Sequence, residues 1–246
     1  MIRFAFNLIV SSLLMIFPIQ AHAQISIFGP YKDGAGRLYC AGLIKHQIDY
    51  GTGKQLHDFL HSKIDPNTCR KDIGGVKGHE LLKVIEITES KGGDLLAAMT
   101  IISLLQDYQI AVETWDRGPK YEKYKCVSSC AIIFAGAPSR HYVVGINQGS
   151  VYPPVRSKFG LHKPEFVVPE NTFKNTIDRE KKYDKLKYAL MELVGRVGVK
   201  PDFIVKTFEI SNNEIFIPLY VDLLMWGVVT SNKPYDPFQA ASPYYR

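Results

Sequence analysis

Val84-Ile85-Glu86-Ile87-Thr88-Glu89-Ser90-Lys91-Gly92-Gly93-Asp94-Leu95-Leu96-Ala97-Ala98-Met99 decides the fold. Leu81 to Ile87 is a nearly unbroken apolar segment, the pattern of a parallel strand covered on both faces. Gly92-Gly93 lets the backbone turn sharply. Asp94 then stands where it can cap a helix running to about Tyr108, with Leu95, Ala98, Met99, Ile102 and Leu105 on one side. Ile110 to Trp115 reads as the next strand. Strand, turn, helix and strand make the parallel crossover unit, so the prediction is α/β, with mostly parallel strands flanked by helices.

Downstream, Asp116 to Lys125 is a charged loop and Ser128 to Phe134 reads as a buried helix. Tyr142 to Val144 and Lys158 to His162 read as short strands. The long insertion between them holds Pro153-Pro154, and its 147–156 loop is of the kind that often carries function. Asn171 to Val197 is the clearest amphipathic helix, with Ile177, Tyr183, Leu186, Ala189, Leu190, Leu193 and Val194 as its stripe. Pro201 opens a helix through Phe208. Tyr220 to Trp226 is a last helix closed by Gly227, and Val228 to Thr230 is expected as a terminal strand.

Upstream, a short strand is expected between Ile25 and Gly42, ending in the Gly34-Ala35-Gly36 turn. Leu43 to Ile48 follows as a strand, Lys54 to Ser62 as a helix and Asp65 to Gly78 as a loop. His57 and His61 share a helical face, and the reading preferred for them is a partly exposed surface. There is no internal repeat. One domain is expected over residues 24–235, with a loosely ordered tail at 236–246.

The first residues specify a compartment. Arg3, an apolar run from Phe4 to Ile19, Pro18 and then Ala21-His22-Ala23 describe a secretory signal peptide, residues 1–23, with cleavage before Gln24. The run is shorter than the ~20 residues that a membrane span needs. No later stretch is apolar enough to span, so the expectation is a soluble periplasmic or secreted protein. The net charge of +6 is spread thinly, without the clustered basic face that marks a nucleic-acid binder. Four cysteines in an exported chain imply disulfides, with three possible connectivities; Cys40 with Cys69 and Cys126 with Cys130 is one. A zinc site is not expected, because Cys126 and Cys130 lack a second pair at matching spacing and His141, the nearest candidate, would need two distant partners. No metal or other cofactor is predicted.

Three motifs in order carry a resemblance. Ser90-x-Gly92-Gly93-Asp94-Leu95-Leu96-Ala97-Ala98-Met99, Ser128-Ser129-Cys130-Ala131-x-x-x-Ala135-Gly136 and Gly160-Leu161-His162-Lys163-Pro164 resemble the Clp protease proteolytic subunit. They are closer still to its exported, periplasmic Clp-protease-like relatives, within the wider crotonase-like superfamily. The resemblance spans about Ile44 to Thr230. It implies a stacked β-β-α spiral and a serine hydrolase acting on a peptide or protein substrate. It also implies a possible homo-oligomer, since such relatives form rings or stacks. Ser128 is then the nucleophile, His162 the base, and Gly92, Gly93 and Ser129 the oxyanion hole. Ser129 is the alternative nucleophile. Ser128 is preferred because the relatives carry Ser-small-Cys here and reach an arginine, matched by Arg140, at the same spacing.

The residue chemistry agrees with those roles. A serine hydroxyl is a weak nucleophile until a base lies within hydrogen-bond reach. A serine at the start of a buried helix sits where the helix dipole favours a developing anion, and glycine N–H groups supply oxyanion donors. The third member departs from the family's pattern. Where the relatives have an aspartate, this chain reads Ser211-Asn212-Asn213-Glu214, which puts Asn213, or Asn212, in that place. An asparagine orients an imidazole but does not stabilise its charged form as a carboxylate does. Glu214, Asp202 and Asp178 are the acidic substitutes, and a serine-lysine dyad would draw on Lys125 or Lys158. The competing reading is a catalytically silent scaffold that binds peptides or partner proteins in the same cleft. Enolate chemistry of the crotonase kind ranks last, because an exported protein has little access to coenzyme A substrates.

Overall fold

The computed structural model describes residues 25–72, 74–116, 126–144, 157, 159–164, 176–211 and 213–229. The expected signal peptide, Lys125, Lys158, the 147–156 loop, Asn212 and the tail lie outside them.

The chain begins with a hairpin. β1 (Ile25–Lys32) and β2 (Leu38–Ile44) pair antiparallel around a turn in which Asp33 Oδ1 accepts from the Ala35 and Arg37 N–H groups, each at 2.9 Å. Next come β3 (Gln47–Ile48) and α1 (Tyr50–His61), the helix started by a capping box between Asp49 and Thr52. β4 (Lys63–Asp65), β5 (Arg70–Lys71) and β6 (Val76–Lys77) form a small antiparallel sheet. The crossover unit follows as α2 (Gly78–Leu81), β7 (Leu82–Ile87), β8 (Gly92–Gly93), α3 (Leu95–Asp107) and β9 (Ala111–Asp116). Then come β10 (Cys126–Val127), α4 (Ser129–Gly136), β11 (Arg140–Val144) and β12 (Phe159–Gly160). Three helices end the described chain: α5 (Thr176–Gly195), α6 (Pro201–Glu209) and α7 (Tyr220–Met225).

The main sheet has the order β1-β2-β7-β9-β11, and every pairing after the first is parallel. The protein is therefore mixed α/β with a mostly parallel sheet flanked by helices. Two very short parallel pairs, β3 with β8 and β10 with β12, stand outside that sheet, and a bridge from Ser90 to Cys126 joins their neighbourhoods. Helix α4 is apolar on every side and every residue in it is buried, as a helix enclosed by other elements requires. It packs against α3, α5 and β9 within the same buried core as Ile102, Leu105, Leu190, Val194 and Val112. Phe134 meets Phe159 with ring centroids 4.9 Å apart.

Several sequence expectations change here. Leu43 to Ile48 is not one strand: β2 stops at Ile44, His46 turns with φ 66°, and β3 begins anew. The segment expected as a 65–78 loop holds β5 and β6, and α2 takes the residues before Leu82. β7 is buried on one face only, since Lys83 is exposed and Val84 and Glu86 are half-buried. Val228 and Val229 form no strand. Both donate their N–H groups back to the Leu223 carbonyl, so the turn at Gly227 (φ 71°) consumes the donors that a ladder would need. β12 is only Phe159–Gly160.

Cys40 is bonded to Cys69 and Cys126 to Cys130, leaving no free cysteine among the described residues. Nor is any described helix long and apolar enough to cross a membrane. The two cystines are consistent with an extracytoplasmic protein, because such bonds persist where the surroundings are oxidising.

Candidate active site

The three motifs meet where β8, β10 and β12 end. Val127 lies opposite Gly160 in the β10–β12 pair. One residue on, the Ser128 N–H donates to the Gly160 carbonyl at 2.7 Å. His162 follows Gly160 by two residues, so Ser128 and His162 occupy neighbouring strand ends. On the other side, the Val127 N–H donates to the Ser90 carbonyl at 3.0 Å, which ties β10 to the segment leading into the glycine pair.

Gly92 of the pair approaches Ser128 closely, and Gly93 approaches Ile48. A Cβ on Gly92, which has φ +89°, would lie 2.5 Å from Ser128 Cβ and 2.6 Å from the Val127 carbonyl oxygen. One on Gly93 would lie 1.9 Å from the Ile48 carbonyl oxygen. Neither position has room for a side chain. Here the glycines serve close backbone approach as well as turning.

Ser128 is buried, with 2% exposure, and its backbone is left-handed at φ 55°, ψ −123°. A non-glycine residue in that region is strained. It occupies the N-cap position of α4, yet its side chain makes no capping hydrogen bond. The first N–H groups of α4, starting with Ser129, have no partner within the helix. The Ser129 hydroxyl is committed elsewhere: it donates to the Gly93 carbonyl at 2.7 Å. That bond separates the two serines, one holding Gly93 and the other making no capping bond to its helix.

His162 is half-buried, and its Nδ1 lies 2.9 Å from the Lys163 carbonyl oxygen. A carbonyl only accepts, so Nδ1 carries a proton and the neutral ring offers Nε2 as its basic atom. Among the described residues, the group bonded to this ring is the Lys163 carbonyl. The 210–216 segment runs alongside it: the Lys163 N–H donates to the Ile210 carbonyl, and Leu161 exchanges both backbone bonds with Phe216. Asn213 sits in the turn between these contacts with its side chain exposed, and its N–H receives the Ser211 hydroxyl as acceptor at 3.3 Å. Glu214 and Asp202 are exposed as well.

Ser90 is the residue that motif reading undervalued. It is 1% exposed. Its hydroxyl donates to the His46 carbonyl at 2.6 Å and accepts from the Gly92 N–H at 3.2 Å. Its own carbonyl takes the Val127 N–H, so one side chain and one peptide fix three segments. The Ser-x-Gly spacing, a local hydroxyl-to-backbone turn, was the available signal. Arg140 is the second such residue. Buried, it donates to the carbonyls of Ala137, Val197, Gly227 and Val228, which locks the end of α4 to α5 and to the turn after α7. Burial holds its guanidinium pKa below the usual value.

The histidines outside this region are used structurally. His57 stacks on His61 at 4.1 Å. Both ring nitrogens of His61 are engaged, Nδ1 with the His57 carbonyl and Nε2 with the Tyr108 hydroxyl. Burial lowers the pKa of His141, whose Nε2 meets the Ser139 hydroxyl at 3.1 Å. Among the described residues no cluster of three or more His, Cys, Asp or Glu side chains is arranged to hold a metal.

No family model matches the sequence, and no curated protein matches it.

Proposed function

We propose that this protein is an exported serine hydrolase of peptidase type, with a Clp-protease-like spiral fold. Ser128 is its nucleophile, His162 its base, and the N–H groups of Gly93 and Ser129, beside Gly92, its oxyanion donors. The observation that carries the reading is Ser128 itself. It is a buried serine on a left-handed strand-to-helix turn, its side chain makes no capping bond to its helix, and it lies against Gly92 too closely for any side chain there. Strained serines on such turns are a recurring way to expose a nucleophile at a helix start. In this scheme His162 Nε2 takes the hydroxyl proton as Ser128 Oγ adds to an acyl carbon, and the positive end of α4 favours the resulting oxyanion. The Lys163 carbonyl performs the orienting half of the third member's task, with Asn213 in the adjoining turn.

The second reading is a silent scaffold that binds peptides in the same cleft. Its support is specific: among the described residues His162 is held by a neutral carbonyl, which stabilises an imidazolium less than a carboxylate does. The experiment that separates the two is labelling with a fluorophosphonate probe, beside Ser128→Ala, Ser129→Ala and His162→Ala. Labelling lost in the first and third variants and kept in the second supports the hydrolase. A folded wild-type protein that takes up no probe across neutral pH supports the scaffold.

A further inference from the structure

We infer that the Cys126–Cys130 disulfide is a positioning element of the candidate site, holding Ser128 in its left-handed turn. The inference rests on the proposed role of Ser128. The two cysteines bracket that serine symmetrically: Cys126 is in β10, Cys130 in the first turn of α4, and Ser128 midway between them. Their Cα atoms are 5.1 Å apart and the sulfur–sulfur bond spans four residues. A strand end and a helix start are thereby tied together across Ser128, whose backbone has φ 55°.

Left-handed geometry at a residue with a Cβ persists only when its surroundings over-determine it. The hydrogen bonds there are the Ser128 N–H to the Gly160 carbonyl and the Ile132 N–H to the Ser128 carbonyl, at 2.7 and 3.2 Å. The disulfide adds a covalent limit on how far the two flanks can separate, which a relaxed turn at Ser128 would demand. Its effect is local for a second reason. The unfolded-chain entropy that a crosslink removes rises with loop length, and this loop is far shorter than the one closed by Cys40 and Cys69, whose separation is 29 residues. Cys126 and Cys130 are 1% and 0% exposed, so exchange with outside thiols is obstructed and the bond acts as a fixed part of the site.

The test compares Cys126→Ala/Cys130→Ala with the control Cys40→Ala/Cys69→Ala, and adds Ser128→Gly to the first pair. Three quantities are read: the fluorophosphonate labelling rate with its pH profile, hydrogen exchange at the residue-128 amide, and the melting temperature. Loss of the bracketing disulfide is expected to slow labelling about tenfold, the equivalent of one strained residue. The pH profile of labelling should keep its shape, and the residue-128 amide should exchange faster. The control pair is expected to melt earlier while labelling within about twofold of wild type at a temperature where it is folded. Ser128→Gly, which removes the left-handed penalty, is expected to restore melting temperature and amide protection to the Cys126→Ala/Cys130→Ala protein.

Labelling and amide exchange both unchanged on removal of the bracketing disulfide would overturn the inference. So would a triple variant that unfolds along with the double one, since the bond would then be serving global stability. Should wild-type protein not label, the hydrolase reading falls, and the amide exchange and glycine rescue still decide whether the disulfide holds the turn.

Discussion

The Ser129 hydroxyl donates to the Gly93 carbonyl at 2.7 Å, so the second serine of the pair fastens the first turn of α4 to the glycine strand beside it. Removing it should therefore separate stability from chemistry. Ser129→Ala takes the hydroxyl donor from the half-buried Gly93 carbonyl, and a loss of about 1 kcal/mol is expected in chemical denaturation. Probe labelling of Ser128 should survive.

Gly92→Ala should do the opposite kind of damage. The added methyl would sit 2.5 Å from Ser128 Cβ on a backbone with φ +89°, and neither neighbour is a flexible tip that can swing away. A destabilisation of about 2–4 kcal/mol is expected from the clash and the backbone strain together. Labelling should fall to background even where the protein stays folded, as judged by circular dichroism.

Arg140→Met tests the buried guanidinium. Four carbonyls lose their donor at once, and about 3–5 kcal/mol of stability should go with them. Arg140→Lys is expected to recover little, because a compact ammonium cannot span acceptors fanned out around a planar fork. Urea denaturation of both variants checks this.

The half-buried carboxylates of the main sheet predict a pH dependence. Glu86 of β7 and Glu113 of β9 are in register, with His141 of β11 next in line. Burial, and then Glu86, push the Glu113 carboxyl up to about 7; burial, and then Glu113 with Tyr31 and Asp33, push Tyr39 up as well. A raised carboxyl pKa means that the folded state holds this proton more tightly than the unfolded state. The stabilisation is complete below the ordinary glutamate range and is lost as pH rises through about 7. Wild type should thus lose on the order of 2–3 kcal/mol relative to Glu113→Gln between pH 5 and pH 8. Melting curves of the two proteins that stay parallel over that range would refute it.

What the sequence made legible follows the range of the interactions involved. Asp94 was readable as a helix cap because its acceptor role is local, and it does accept from the Ala97 N–H at 2.7 Å. The strand–helix–strand unit from Leu82 to Asp116 was readable for the same reason, through periodicity and cap chemistry within one continuous stretch. β10 and β12 were not readable as a pair. Each is two residues long, too short for a pattern, and their partnership joins segments 33 positions apart at Val127 and Gly160. Four cysteines left three connectivities open, and only the fold shows which sulfurs meet. Resemblance alone prefers Ser128 over Ser129, since residue type does not distinguish them. A hydrogen bond to Gly93 and a left-handed dihedral, neither encoded in residue type, give them different duties. The candidate base was found by motif, while the carbonyl that sets its tautomer belongs to Lys163, a backbone group invisible to any search over side chains.

The cystine around Ser128 also gives the site a sequence in time. Such a bond closes where thiols are oxidised and stays open in a reducing cytosol. A newly made chain held there would carry the serine, the histidine and the glycine pair, yet with the turn at Ser128 free to relax and its hydroxyl unaligned. With Cys126 and Cys130 1% and 0% exposed in the finished fold, the bond has to close before the surrounding elements seal over it, so the covalent link comes first and the turn at Ser128 is set within it.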